Sequence, residues 1–371
     1  MFEGYATPQG TQDFLNRHAT HSTQKRTFCG MTLPSLAMGT YLGPMNFPTD
    51  HRVTQTATQA LSLGMGFFDT AINYRGQRAE TAIGEALRQN FLKNTLKRKE
   101  VFISSKAGFI PFEKEPVEDL KKLFKDQYVT PGIVEEKELI AECYCLHPKY
   151  IENQLNRSRK NLGLNTIDLY YIHNPETVLD ELPSRILFDY LERTFTFLES
   201  AREKNHIRSY GIATWDGLRT PTDGQAHLNL EKIYKIAEKV GGKNHGLKAI
   251  QLPLNLAMLE AGWFQSQDSS MGSMSVLKLA HELNLSVAVS APLYQGRLAE
   301  GLPPFITKHF PKKLSDAQMS LLFASSVPGV ASTMVGLKDP KHLDEAAAVL
   351  RMERLSVDQI NGIAKSIMTK S

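Results

Sequence analysis

Short runs of apolar and β-branched residues recur along the chain, and between them apolar positions repeat at helical spacing. The candidate strands are residues 36–40, 66–70, 101–106, 167–173, 209–213, 249–252, 286–290 and 332–336. Several are apolar without clean alternation, as in strands covered on both faces. Helical spacing runs through 50–64, 78–91, 148–162, 186–204, 230–240, 273–283 and 315–326. Thr49 and Asp50 stand where a cap belongs and Gly64 where a helix stops. Asp339-Pro340 opens a helix over 340–350, and Ser356 caps one more. Residues 11–18 predict a short helix packed outside the main body.

Strand starts are fairly evenly spaced, with one gap. Between 101 and 167 stand about 30 more residues than a strand–helix unit needs. This insertion, 109–147, is rich in Lys and Glu, holds Pro111, Pro116 and Pro131, and reads as a long loop. Eight strands alternating with helices predict an α/β fold, a (β/α)8 TIM barrel. One domain is expected over 1–371, with an N-terminal extension, 1–26, and the long insertion after the third strand. A doubly wound open sheet is the other arrangement weighed. Against it, no Gly-x-Gly-x-x-Gly follows the first strand. The chain also holds no Walker-type loop, no His-Glu-x-x-His and no Gly-x-Ser-x-Gly.

Composition narrows the classes. Hydrophobic residues make up 42% and charged residues 22%, as in a globular protein. The 43 Lys and Arg against 39 Asp and Glu leave a net charge of +4, so nucleic acid is not an expected partner. Cys29, Cys143 and Cys145 make no disulfide framework and fit a reducing, cytoplasmic setting. Residues 1–26 hold no apolar signal region, and no apolar stretch reaches the roughly 20 residues that span a bilayer. No membrane partner is therefore expected, and the oligomeric state stays open.

Barrel active sites gather at the C-terminal ends of strands. The second strand ends in Asp69, with Tyr74 five residues on. The third ends in Lys106 and the fourth in His173. An ammonium beside a phenol stabilises the phenolate and lowers its pKa. Lys106 can do this for Tyr74, with Asp69 holding the lysine, while His173 donates to a substrate oxygen. Such a set protonates an oxygen while something else attacks the adjoining carbon. Singly, each has an ordinary reading: a capping pair at Asp69-Thr70, a packed loop tyrosine, a solvated lysine, a core histidine. At three successive strand ends, together, they read as a site.

Asp69-Thr70-Ala71-x-x-Tyr74, Gly84-Glu85-Ala86-Leu87, Ser105-Lys106 and the segment Ile167–His173 resemble the aldo-keto reductases. The resemblance covers most of the chain from about Thr27. It implies NADPH as hydride donor, a small-molecule carbonyl substrate, Tyr74 as general acid, Lys106 and Asp69 tuning it, and His173 orienting the carbonyl.

After the eighth strand, Gly336-Leu337-Lys338-Asp339-Pro340-Lys341-His342-Leu343-Asp344-Glu345 opens a helix. A helix N-terminus attracts phosphate through its free N–H groups and dipole. The resemblance implies a site here for the 2′-phosphate and adenine, with Gly336, Lys338, His342 and Glu345. It also implies Thr214 and Gln251 facing the nicotinamide, and a loop with Leu293, Gln295, Gly296 and Leu298 along the pyrophosphate. The chain departs from the family at Ala213-Thr214, where Ser-Asn is usual, and at Leu254 and Ser290, where an aromatic is common. Tyr294 is a candidate to stack in place of the aromatic missing at 290.

No metal is expected. Cys143-x-Cys145-x-His147 has the right residue types, but a structural zinc needs four ligands, and Cys29 is the remaining cysteine. The insertion, leaving the third strand at the catalytic rim, is expected to wall the substrate site with Phe109, Phe112, Phe124 and Tyr128. A different class of function on the same fold is a cofactor-sensing or partner-binding module with little turnover.

Overall fold

The structure, a computed structural model, describes residues 1–113 and 118–370. Pro116 of the insertion lies outside them. Among the described residues twelve strands form in chain order: β1 (Lys25–Phe28), β2 (Met31–Pro34), β3 (Leu36–Gly39), β4 (Phe67–Asp69), β5 (Phe102–Ala107) and β6 (Ile167–His173). There follow β7 (Ile207–Ala213), β8 (Leu247–Pro253), β9 (Gln267–Ser269), β10 (Gly272–Met274), β11 (Ser286–Ser290) and β12 (Val330–Gly336). The eight predicted strands close into one parallel barrel in the order β11-β12-β3-β4-β5-β6-β7-β8, with β11 pairing back onto β8. This is the (β/α)8 TIM barrel expected from the alternation of elements.

The helices outside it match the apolar periodicity within a few residues. Arg78–Leu92, Pro148–Leu162, Ser184–Glu203, Leu230–Gly241, Asp316–Ser326, Pro340–Val349 and Val357–Met368 all form. One boundary shifts further. The helix expected from 50 begins at Phe47, because Asn46 rather than Thr49 caps it, its side chain accepting from Thr49 N. Another expected helix is shortened: 273–274 belong to the β9–β10 hairpin, and the helix runs Val276–Glu282 from its Ser275 cap. The N-terminal helix is Pro8–Asn16, two to three residues earlier than its apolar pattern suggested, with Thr7 as cap and Pro at its first turn.

Strand faces that point outward meet helices, and those that point inward meet each other. The inner cluster includes Ala37, Phe67, Phe102, Leu169, Ala249 and Ala288. The β1–β2 hairpin plugs its floor. Cys29 and Gly30 turn it at positive φ, and Phe28 lies 5.3 Å from the Phe67 ring and 5.7 Å from Phe102. The extension is tied to the same end. Phe2 N donates to Gly163 O at 2.7 Å, Thr7 N to Lys99 O at 3.0 Å, and Ala6 N to Asp168 Oδ1 at 2.7 Å. Asp168 Oδ2 in turn accepts from Arg98 Nη2 at 2.7 Å and Ile103 N at 2.8 Å.

Among its described residues the insertion carries more regular structure than the loop expected. A short helix, Leu120–Phe124, runs into a wider turn, Lys125–Val129. Phe124 and Tyr128 are buried against Tyr150, with centroids 6.3 and 4.9 Å from its ring. No helix among the described residues is long and apolar enough to cross a membrane.

Candidate active site

With the floor plugged, the open end of the barrel is where the strands terminate. A cavity of about 970 Å³ opens there. The four strand-end residues converge at its base. Lys106 is fully buried; its Nζ donates to Asp69 Oδ2 at 2.6 Å and to Thr70 O at 2.9 Å. The same nitrogen lies 4.9 Å from the Tyr74 ring centroid. The His173 ring stands 5.7 Å from that ring, edge to face. Asp69, Tyr74 and His173 line the cavity, while Lys106 sits behind them.

Pleating explains the arrangement. Residues alternate sides along a strand, so Ser104 and Lys106 share one face of β5 and Ser105 takes the other. Ser104 Oγ donates to Asp69 Oδ1 at 2.6 Å, whereas Ser105 Oγ donates outward to Glu80 Oε1 at 2.5 Å. Gln251 Nε2 reaches the same Asp69 Oδ1 at 3.1 Å. Two donors thus hold the carboxylate that holds the lysine. The contribution of Ser104 was readable from its spacing to Lys106, but not that of Gln251, which comes from another strand.

Electrostatics at the base differ from expectation in one respect. Burial pushes the Tyr74 phenol above its ordinary value, and Lys106 offsets this only in part. The sequence pattern pointed to a lowered value. Burial also works against the Lys106 ammonium, yet the charges of Asp69 and Tyr74 prevail and its pKa is raised. His173 is driven well below its usual value by burial and by Lys106, so it is a neutral imidazole, and its Nδ1 is buried without a partner among the described residues.

Along the cavity, Thr214, Gln251 and Ser290 form the wall nearest the base. Thr214 Oγ1 is buried there without a hydrogen-bond partner, a donor or acceptor left for a ligand. Leu293, Gln295 and Gly296 follow, with Gly296 at φ +95 and open space where a side chain would be. At the far end stand Gly336, Lys338, His342 and Glu345, beside the N-terminus of helix Pro340–Val349. Lys338 has no ion pair among the described residues, while Glu345 accepts from Ser315 Oγ. An elongated groove with an unpaired cation and a helix N-terminus at one end fits a dinucleotide with a phosphorylated end.

Three expectations do not hold. Leu298 lies off the cavity: it packs against the core, and its carbonyl accepts from Ser320 Oγ at 2.8 Å. Tyr294 does not line the cavity either; it sits under the Arg297 guanidinium, 5.2 Å away, with its backbone at φ +45. Of the four insertion aromatics, Phe109 alone lines the cavity, since Phe124 and Tyr128 are spent on core packing. Cys29 hydrogen-bonds at the barrel floor to Ser286, whereas Cys143 and Cys145 flank the rim, pairing with Ile110 and Gly108. No His, Cys, Asp and Glu group among the described residues is placed to hold a metal.

Other wall residues carried no sequence signal. Tyr41 stacks edge-on against Tyr74 at 5.0 Å, and Trp215 follows Thr214. Trp215 is placed by Glu176, whose Oε1 accepts from the backbone N–H groups of Trp215 at 2.7 Å, Asp216 at 3.1 Å and Gly217 at 3.3 Å.

Comparisons with known proteins bear on the family and the fold. A sequence profile described as the Aldo/keto reductase family matches residues 35–301. Prostaglandin F synthase 1 of Bos taurus is 24% identical over 213 residues, 55% of this chain and 51% of that protein. The aldo-keto reductase yakc [NADP(+)] of Schizosaccharomyces pombe is 30% identical over 155 residues, 41% of this chain and 37% of that protein. The matched stretch thus spans about half or less of these relatives' length. Among solved structures, an aldo-keto reductase from Bacillus halodurans in its holo form superposes with TM-score 0.64 at 16% identity, over 94% of this chain and 96% of that one. One from Klebsiella pneumoniae in complex with NADP and acetate superposes with TM-score 0.61 at 17% identity, over 92% and 95%. These structural likenesses concern the fold.

Proposed function

Since the chain belongs to the aldo/keto reductase family, we propose that it uses NADPH to reduce an aldehyde or ketone to the alcohol. The observation that carries this is the Tyr74 phenol at the cavity base, with the Lys106 ammonium 4.9 Å from its ring and the neutral His173 ring 5.7 Å away. NADPH, when bound, supplies the hydride for the carbonyl carbon. The protein's own groups handle the oxygen. His173, uncharged, donates an N–H hydrogen bond that orients the carbonyl. Tyr74 gives its proton to the developing alkoxide, and Lys106 stabilises the phenolate left behind. Asp69, anchored by Ser104 and Gln251, keeps the ammonium in place.

Thr214 and the free face of Gln251 would hold the nicotinamide amide. Leu293, Gln295 and Gly296 would run along the pyrophosphate, and Lys338, His342 and Glu345 would hold the adenosine end. The unpaired Lys338 supports a preference for the 2′-phosphorylated cofactor. The three unpaired cysteines support a cytoplasmic location.

A second reading, a cofactor sensor with little turnover, is favoured by one observation: no aromatic stands at Ser290, and Tyr294 does not replace it. Following NADPH oxidation against a panel of simple aldehydes and ketones separates the two. Turnover that disappears in Tyr74→Phe supports the reductase. Cofactor binding without turnover of any carbonyl refutes it.

A further inference from the structure

Tyr144 lies in the return limb of the insertion, far in sequence from the strand-end residues. It is fully buried, and its hydroxyl donates to the backbone carbonyl of His173 at 2.7 Å. Its ring occupies the place a side chain at residue 108 would take. A Cβ on Gly108 would stand 2.5 Å from Tyr144 Cε2, and Gly108 is at φ +145. The backbone locks the same register: Cys145 N donates to Gly108 O at 2.9 Å, and Ile110 N to Cys143 O at 2.7 Å. Phe109, carried between these bonds, touches both partners. Its ring lies 5.2 Å from Tyr144 and 5.2 Å from His173, at 90° to the imidazole. Tyr150 Oη fixes Phe109 further by donating to its carbonyl at 2.9 Å.

No hydrogen bond among the described residues reaches Nδ1 of the His173 ring, which otherwise packs edge to face on Tyr74. His173 ends β6, and the next residue, Asn174, is at φ +45. Metal- and substrate-binding imidazoles usually take their orientation from a partner on the second nitrogen. Here the constraint comes from elsewhere: Tyr144 bonds the His173 carbonyl, adding to the pairing of its main chain with Ala213, and Phe109 meets the ring edge.

From this arrangement, which rests on the carbonyl-reductase reading, we infer that Tyr144 is a positioning residue for His173, and that the insertion serves the reaction by bracing the imidazole from behind. Among its described residues, contact with the cavity is confined to Phe109. The effect of Tyr144 on catalysis therefore runs through the histidine side chain and vanishes when that side chain is absent.

A double-mutant cycle tests this. Tyr144→Phe keeps the ring over Gly108 and removes the hydroxyl alone. It should lower kcat about three- to tenfold, the scale of one neutral hydrogen bond, with the NADPH dissociation constant unchanged. In a His173→Ala background the same substitution should change the residual rate less than about twofold, the ordinary size of non-coupled effects. Tyr190→Phe is the control. It removes another buried hydroxyl bond of the insertion, to Glu138 at 3.0 Å, without reaching His173, and should leave kcat unchanged. Phe109→Leu removes the ring contact and is expected to be coupled to His173 in the same way; it carries the test should the Tyr144 variant not fold. Full activity in Tyr144→Phe, or an equal loss with and without the His173 side chain, overturns the positioning role alone. A wild-type protein that oxidises NADPH with no carbonyl overturns the reductase reading, and this role with it.

Discussion

At the base of the cavity Tyr74 is under two opposing influences, a desolvating pocket that keeps its proton on and an ammonium that welcomes its loss. A proton donor placed this way is protonated in the neutral range and still yields a stabilised anion. Burial raises the phenol above its ordinary 10.0, so kcat/KM for reduction should stay level through neutral and mildly alkaline pH and fall only beyond that value. Alcohol oxidation, which needs the phenolate, should rise toward the same limit. His173, held well below 6.5, should add no acidic limb around its usual value. A pH–rate profile with a decline already under way at neutral pH would contradict the assignment of Tyr74. Replacing the phenol is the sharper measurement: Tyr74→Phe should cost about 10²–10⁴-fold in kcat, with NADPH binding kept. At the other end of the groove, Lys338→Glu should weaken NADPH far more than NADH, because a charge-assisted contact of about 1.5–3 kcal/mol goes to the 2′-phosphate alone. Fluorescence titration of both cofactors reads this, and equal losses would show that Lys338 faces something else.

Among the elements, the parallel strands were legible because burial on both faces writes them as continuous apolar runs, and their charged ends stood out against that background. Asp69, Lys106 and His173 are the titratable residues at or next to the ends of such strands. What stayed illegible depended on contacts between distant segments. Gln251 bonding to Asp69, Glu176 gathering the Trp215 loop and Tyr144 reaching His173 leave no periodic trace. Phe124 and Tyr128 misled for a related reason, since an aromatic in a polar insertion can face a ligand or bury itself, and their spacing does not distinguish the two. The barrel floor offers a test at this scale. Asp168 is buried and takes hydrogen bonds from Arg98, Ile103 and Ala6. Asp168→Asn leaves the Arg98 guanidinium buried without its counter-charge, which typically costs about 3–5 kcal/mol. Denaturant unfolding should show that loss, while kcat of the folded protein should hold, because the floor lies at the opposite end from Tyr74. A large drop in kcat with unchanged stability would mean that the two ends are coupled.

Across the whole molecule, one groove runs from the barrel's base to the helix at Pro340, so a bound dinucleotide would tie β7, β8, β11 and β12 together. Ligands that bind the folded state alone stabilise it by mass action, about 2.7 kcal/mol at a hundredfold excess over the dissociation constant. NADPH should therefore raise the melting temperature by a few degrees, and more than NADH at equal concentration. A scan showing no shift with either cofactor would rule out the groove as their site.

Closure of the barrel also sets a schedule for biosynthesis. The seam joins the first barrel strand to the last, Leu36 opposite Thr333 and Gly39 opposite Gly336. At the pace of a ribosome, about 5–20 residues per second, roughly 15–60 s separate the emergence of one edge from that of its mate. Through that interval β3 has an unsatisfied backbone edge, and the nascent chain must be kept from pairing with its neighbours. The early hairpin, β1–β2, is no substitute: a lone hairpin is marginal in water, and its Phe28 finds Phe67 and Phe102 only when later strands arrive.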